Sequence, residues 1–180
     1  AEGCESGGHI GDITTMALVP QVCDAVTIPV IAAGGIADGR GVAAAFMLGA
    51  QGVQLGTRFL VAQECTISPE YKKKVLKAKD IDTVVTGKRL GHPVRSIKNA
   101  FTREYTKCEY NSSEFSDEEL EKMGTGVLRK AAREGDTSHG CVLAGQIAGM
   151  VKKEQPAKEI IEEIFAETEQ VLGGANKWVK

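Results

Sequence analysis

The sequence predicts an α/β protein built from βα units around a parallel sheet. Three observations lead there. The first 60 residues read as loop, helix, strand, helix, strand, the alternation that builds a parallel sheet. The two clearest strands are short, continuous apolar runs, the pattern of strands covered on both faces. Aromatic residues make up only 5% of the 180, which disfavours an aromatic-rich β-sandwich.

Residues 1–11 (AEGCESGGHIG) hold four glycines and read as a loop able to approach a ligand closely. Thr14 and Thr15 can cap a helix whose apolar positions are Leu18, Val19, Val22, Ala25 and Val26. Pro20 must lie in its early part or kink it. Residues 29–33 (PVIAA) form the first buried strand. After Gly34-Gly35, Asp38 is a natural N-cap for a helix over about 39–48, closed by Gly49. Residues 52–55 begin the second buried strand, which ends at Gly56-Thr57-Arg58-Phe59. Ser68-Pro69-Glu70 sets an N-cap before a first-turn proline and opens a helix through about Lys79. Lys72, Lys73 and Lys74 are expected on its solvated face. Residues 81–86 are expected as an extra strand, and 91–95 as a turn leading into an amphipathic stretch over 97–105. Ser116-Asp117-Glu118-Glu119 has the form of a helix start. The small residues of 140–151 suit a tightly packed helix, and 156–172 a final amphipathic one.

Composition removes several function classes. Lys+Arg 22 against Asp+Glu 24 leaves −2, no electrostatic case for nucleic acid or an anionic membrane. No run approaches the roughly 18 apolar residues of a membrane span. The cysteines, Cys4, Cys23, Cys65, Cys108 and Cys141, contain no C-x-x-C, which excludes a zinc ribbon or thioredoxin motif. Their odd number fits a reducing cytoplasm. There is no metal-ligand spacing, no Ser-His-Asp arrangement and no P-loop lysine.

Two constellations carry chemistry. Both strand ends bear glycine, at Gly34-Gly35 and at Gly56-Thr57, with one helix between them. Ligands of parallel sheets bind at the carboxyl ends of strands, where glycine turns N–H groups inward and a helix N-terminus favours an anion. One such turn reads equally as a plain βα connection; two in tandem favour a phosphate cradle, with the Thr57 hydroxyl as a further donor. The second constellation is Ser6-Gly7-Gly8-His9. An imidazole is the side chain best matched to proton transfer near neutral pH, and His9 belongs to no apolar stripe. His92 reads as a turn residue, Arg95 as able to bind a phosphate or carboxylate, and His139 as a loop residue without a specific role.

Three segments together carry a resemblance: Glu2-Gly3-Cys4-Glu5-Ser6-Gly7-Gly8-His9-Ile10-Gly11, then 29–36 (PVIAAGGI), then Gln54-Leu55-Gly56-Thr57-Arg58-Phe59. They resemble the FMN-dependent enoyl-acyl-carrier-protein reductases of bacterial fatty-acid synthesis, relatives of the nitronate monooxygenases. Residues 92–99 (HPVRSIKN) and 144–149 (AGQIAG) resemble that family's C-terminal part. The resemblance implies a (β/α)₈ barrel holding FMN, reduced by NADH or NADPH, and passing hydride to the β-carbon of a trans-2-enoyl thioester. It maps the active-site histidine onto His9 and the FMN phosphate contacts onto Gly34, Gly35, Gly56 and Thr57. Gly7, Gly8, Gly145 and Gln146 are placed near the flavin, and Ser6 and Arg95 on the substrate side. Arg95 would meet the carrier protein, the pantetheine arm or the nicotinamide nucleotide. Acyl carrier protein and the enoyl thioester are the implied partners, and a homodimer is compatible. The rival is a nitronate monooxygenase, whose loop resembles Glu-Ala-Gly-Gly-His-Arg-Gly where this chain has Ser6 and Ile10. A third reading is a non-catalytic phosphate-binding module.

A barrel takes about 250 residues. The chain is therefore expected to be the C-terminal part of one, with an additional helical C-terminal region and the N-terminal half of the barrel as its partner. Residues 1–62 would supply barrel strands and helices, 63–151 a substrate-side insertion returning to the flavin, and 152–180 the C-terminal helix.

Overall fold

β2 (Ile31–Ala33) and β3 (Gly52–Gln54) run parallel, Ile31 opposite Gly52 and Ala33 opposite Gln54, in a computed structural model that describes residues 1–178. Glu2 makes a further parallel bridge to Ala33, with the Gly3 N–H donating to the Ala33 carbonyl at 2.9 Å. The start of the chain thus runs as a third parallel segment beside β2.

Between these strands lie α1 (Thr15–Ala25) and α2 (Gly39–Met47). Thr14 occupies the N-cap of α1, but its hydroxyl makes no cap bond. Glu5 Oε2 instead accepts from the Thr15 N–H at 2.6 Å. A carboxylate is the better partner at the positive end of a helix. The bond that Pro20 cannot donate would reach the Met16 carbonyl, and Met16 is 68% exposed, so water can serve it. Asp38 caps α2 as predicted, accepting from the Arg40 and Gly41 N–H groups, and Gly49 closes it at φ +98°.

One face of the parallel pair is covered by α1, α2 and α7 (Ala157–Gly173), whose Val19, Val42, Ala45, Ile160 and Ile164 pack around Ala32. The expectation of strands covered on both faces is corrected in part: Ile31 is 53% exposed and Gln54 is also open, whereas Ala33, on the same face as Ile31, is buried. α7 meets α2 backbone to backbone; a Cβ on Gly39 would lie 2.5 Å from the Thr168 nitrogen.

A second core joins α3 (Pro69–Leu76), the 3₁₀ turns Thr57–Val61 and Gln146–Met150, and the Val142–Ala144 segment through Val61, Tyr71, Val75 and Ala148. Ser68 caps α3 with Pro69 at its start, but the helix stops at Leu76. Lys72 does not belong to a solvated face. It is 8% exposed, and its ammonium donates to the Ala62 carbonyl at 2.7 Å and to Glu154 Oε1 at 2.8 Å, tying α3 to the segment before α7.

The remaining strands form an antiparallel sheet in the order β1 (Gly8–His9), β5 (Val94–Ile97), β4 (Thr83–Thr86). β4 is the predicted extra strand. Two readings are corrected here: Gly8-His9 is strand and not loop, and Val94–Ile97 is strand and not the end of a turn. α4 (Ala100–Glu109) starts beyond it, under an Asn99–Thr102 capping box, and α5 (Asp117–Gly124) carries the predicted start as a Ser116–Glu119 capping box. These two helices close on Tyr105, Cys108 and Leu120. α6 (Val127–Ala132) has no counterpart among the predicted elements. Residues 140–151 are not the expected helix: the chain runs extended, bridges Ser96 through Leu143, and makes only the 3₁₀ turn Gln146–Met150.

Candidate functional site

A cleft of about 380 Å³ opens at the carboxyl ends of β2 and β3, the position at which parallel sheets bind ligands. One end is made of Gly34, Gly35, Gly56 and Thr57, and Gly7, Ser6 and Gly145 close a side of it. The rest of the lining mixes the apolar Ile36, Leu60, Leu143 and Ile147 with Glu2, Glu5, Gln54 and Tyr71. Gly34 and Gly35 both sit at positive φ, +89° and +74°, where only glycine is unstrained. Thr15 Oγ1 donates to the Gly34 carbonyl at 2.8 Å and so fixes the turn from outside.

The loop carrying Ser6-Gly7 is laced to the segment 144–146. A Cβ on Gly7 would lie 2.6 Å from the Ala144 carbonyl carbon, and one on Gly145 would lie 2.6 Å from the Glu5 oxygen. The Gln146 N–H donates to that same Glu5 carbonyl at 2.9 Å. Thr57 Oγ1 accepts from the Gly145 N–H at 2.8 Å, which leaves the hydroxyl proton free to point elsewhere. The Ser6 side chain is buried and its Oγ has no partner.

The N–H groups left free at this end belong to the turns and not to the N-terminus of α2. The Gly39, Arg40 and Gly41 N–H groups of α2 are already taken by the carboxylates of Glu167 and Asp38, so the predicted contribution of that helix N-terminus is corrected. The Gly35 and Gly56 N–H groups, in contrast, have no protein partner among the described residues. A Cβ built on Gly56 would meet nothing within 4 Å, so the backbone there faces open space. Among the described residues no lysine or arginine lines the cleft. Arg58, adjacent in sequence, turns away: it is buried, donates to Gln155 Oε1 at 2.6 Å, and burial lowers its pKa.

Four predicted site residues lie outside this cleft. His9 pairs with Val94 across β1 and β5, and its exposed ring lines a second cleft of about 400 Å³ together with Thr86, Val94 and His92. Gly8 is buried in β1 at φ +85°. The Gln146 side chain is exposed. Arg95, expected on the substrate side, is instead buried, with Nε and Nη2 on the Cys4 carbonyl at 3.1 and 2.9 Å and Nη1 on Thr83 Oγ1 at 3.2 Å. Burial lowers its pKa, and its work is to pin the Cys4–Ser6 bend against β4. Glu5 was not anticipated, yet it caps α1, abuts Gly35 and receives Gln146. The sequence signal was present, since an acid two residues before Gly7-Gly8 is otherwise unused. All five cysteines are free, and among the described residues no group of three or more His, Cys, Asp or Glu is placed to hold a metal ion.

With this geometry in view, the chain matches the family model described as nitronate monooxygenase over residues 1–167. A probable nitronate monooxygenase of Staphylococcus saprophyticus is 39% identical over 184 residues, covering 96% of this chain and 51% of the relative. FabK from Thermotoga maritima superposes with a TM-score of 0.94 at 47% identity, covering 99% of this chain and 56% of that one. A nitroalkane oxidase from Streptomyces ansochromogenes superposes at 0.78 with 32% identity, covering 96% and 52%. The chain therefore spans about half the length of the relatives it matches, and its α/β architecture corresponds to part of their TIM barrel.

Proposed function

The chain belongs to the nitronate monooxygenase family of oxidoreductases, and from that premise we propose that it forms the phosphate end of an FMN site in an NAD(P)H-dependent enoyl-acyl-carrier-protein reductase. The observation that carries the choice of reductase is the match to FabK, higher in identity than those to the curated nitronate monooxygenases. It agrees with Ser6, Ile10 and the 92–99 block, which resemble the reductases.

The residues fit a phosphate monoester. Gly35 and Gly56 offer unpartnered N–H groups and Thr57 a hydroxyl proton; the backbone at Gly56 faces open space, while the Glu5 carboxylate, occupied by the Thr15 N–H, stands beside Gly35. Gly34 sets the turn that holds Gly35. Gly7 and Gly145 narrow the path out of the cradle, and the apolar side chains of Ile36, Leu60, Leu143 and Ile147 suit an aromatic ring system. FMN, when bound, would supply the hydride chemistry between NADH or NADPH and the enoyl β-carbon. His9 is assigned the proton: its ring is exposed on an edge held by the Ile10 N–H on the Pro93 carbonyl at 3.0 Å, able to donate to the α-carbon or polarise the thioester carbonyl. Gly8, at positive φ beside it, sets the direction in which that ring leaves the strand.

The second reading, nitronate monooxygenase, rests on the names of the curated relatives. One assay on the protein expressed from its complete reading frame separates the two. The reductase oxidises NAD(P)H without oxygen only when crotonyl thioester is present. Oxygen uptake with a nitronate and no enoyl reduction overturns the proposal.

A further inference from the structure

The second cleft, under His9, plays no part in the glycine cradle. Thr86, Val94 and His9 lie side by side across the three antiparallel strands and point to one face. α4, α5 and the residues that follow close over that face with Leu90, Phe101, Tyr105, Leu120 and Val127. Both histidines, His9 and His92, are exposed and stand at the mouth, whereas Leu120 and Cys141 are buried behind them. At about 400 Å³ the space is within the range of small-molecule sites, roughly 300–1,000 Å³.

Charge says what kind of ligand this space takes. Among the described residues it is lined by no lysine or arginine, and its one ionised group is the Glu121 carboxylate. Leu90, Val94, Phe101, Leu120 and Val127 give the space a largely apolar lining. An aliphatic chain would bury apolar area at about 25 cal/mol per Å². Tyr105, 5% exposed, adds its ring to that lining.

We propose that this cleft binds the acyl chain of a thioester, with the chain between α4 and α5 and the thioester end at His9. The inference rests on the reductase reading for the identity of the ligand, and it locates the determinant of chain length. Gly124 is the position from which to test it: it lines the cleft, ends α5, and a Cβ there would meet nothing within 4 Å.

The experiment measures binding of saturated butyryl- and dodecanoyl-pantetheine, by displacement of a parinaroyl-pantetheine probe, to the flavin-loaded protein and to its Gly124→Phe variant. The saturated ligands cannot be reduced, so the result does not depend on turnover. The expected result is a loss of dodecanoyl affinity of tenfold or more, with at least a fivefold smaller loss for butyryl. Equal effects on the two chains, or none, overturn the proposal. Should Gly124→Phe fail to fold, a dodecanoyl-pantetheine carrying a terminal diazirine is photolysed on the unaltered protein. Labelling within residues 101–127 supports the cleft, and labelling elsewhere overturns it. Absence of enoyl reduction would count against the reductase while leaving these binding results to decide the cleft.

Discussion

The Thr57 hydroxyl oxygen accepts a hydrogen bond from the buried Gly145 N–H at 2.8 Å, joining residues 88 apart in the chain. The bond holds the turn after β3 against the extended segment that runs beside Ser6-Gly7, so one side chain fixes two walls of the glycine cleft. Thr57→Val removes the acceptor and leaves the Gly145 N–H buried without a partner. The expected loss is about 1–3 kcal/mol of stability, together with about tenfold or more in FMN affinity, since the hydroxyl donor goes too. Thr57→Ser should keep both. Urea unfolding and flavin retention on gel filtration measure the pair, and a Val variant with unchanged stability would contradict the geometry.

The glycines of the cleft divide by what a methyl group would meet. On Gly34 it would lie 2.6 Å from the Gly3 oxygen with φ at +89°. Gly34→Ala should therefore cost about 1–3 kcal/mol from backbone strain alone, plus the displaced contact. On Gly56 the methyl group meets nothing and φ is −90°. Gly56→Ala should melt within about 1 kcal/mol of the parent yet hold FMN at least tenfold more weakly, because the methyl group stands at the cradle. Thermal melts with and without added FMN separate the two cases.

Asp136 organises the turn before the extended segment. It accepts from the His139 N–H at 2.9 Å and the Ser138 N–H at 3.1 Å, and chiefly the His139 bond brings its pKa down from 3.8 to about 2. A folded-state value below the unfolded one means that the stabilisation is complete above about pH 4 and is lost as pH falls toward 2. The melting temperature of the parent should exceed that of Asp136→Asn at pH 5–7, and the two should converge near pH 2. A gap that is constant across that range would remove the carboxylate from the account.

Local signals made much of this fold legible. Asp38, Ser68-Pro69 and Ser116 each announce a helix start through a side chain acting on its own next few residues, and all three stand where the pattern put them. The two glycine strand ends likewise led directly to the cleft. What stayed hidden depended on partners far along the chain. Val94–Ile97 carries no alternating pattern because Arg95 is buried against the Cys4 carbonyl and Ser96 is buried on the opposite face. The small residues of 140–151 resemble a packed helix, yet they are small because Gly7 and Glu5 press on Ala144 and Gly145 backbone to backbone. Lys72 lies in a run of three lysines, and only the Ala62 carbonyl and Glu154, neither adjacent in sequence, single it out for burial. The same limit applies to His9: the sequence marks it as a candidate, but the cleft it faces is assembled by α4 and α5, about a hundred residues on.

That placement gives His9 a test of its own. Its ring lines the cleft beneath α4 and α5, whereas the glycine cleft is built from the ends of β2 and β3. Loss of the imidazole should therefore leave the flavin in place and act on turnover. His9→Ala is expected to slow reduction of crotonyl thioester by about 10²–10⁴-fold, the usual contribution of a positioned general acid, or roughly 3–5 kcal/mol of barrier. FMN content per chain should stay within twofold of the parent. Because β1 contributes only Gly8 and His9 to the sheet, through backbone pairing with Arg95 and Val94, the alanine should keep the strand and its melting temperature. Stopped-flow reduction of the flavin by NAD(P)H should be unaffected, with the loss confined to the half-reaction in which the enoyl thioester is protonated. A variant that reduces crotonyl thioester within threefold of the parent rate would remove His9 from the proton step, and one that loses its flavin would place it in the cofactor site instead.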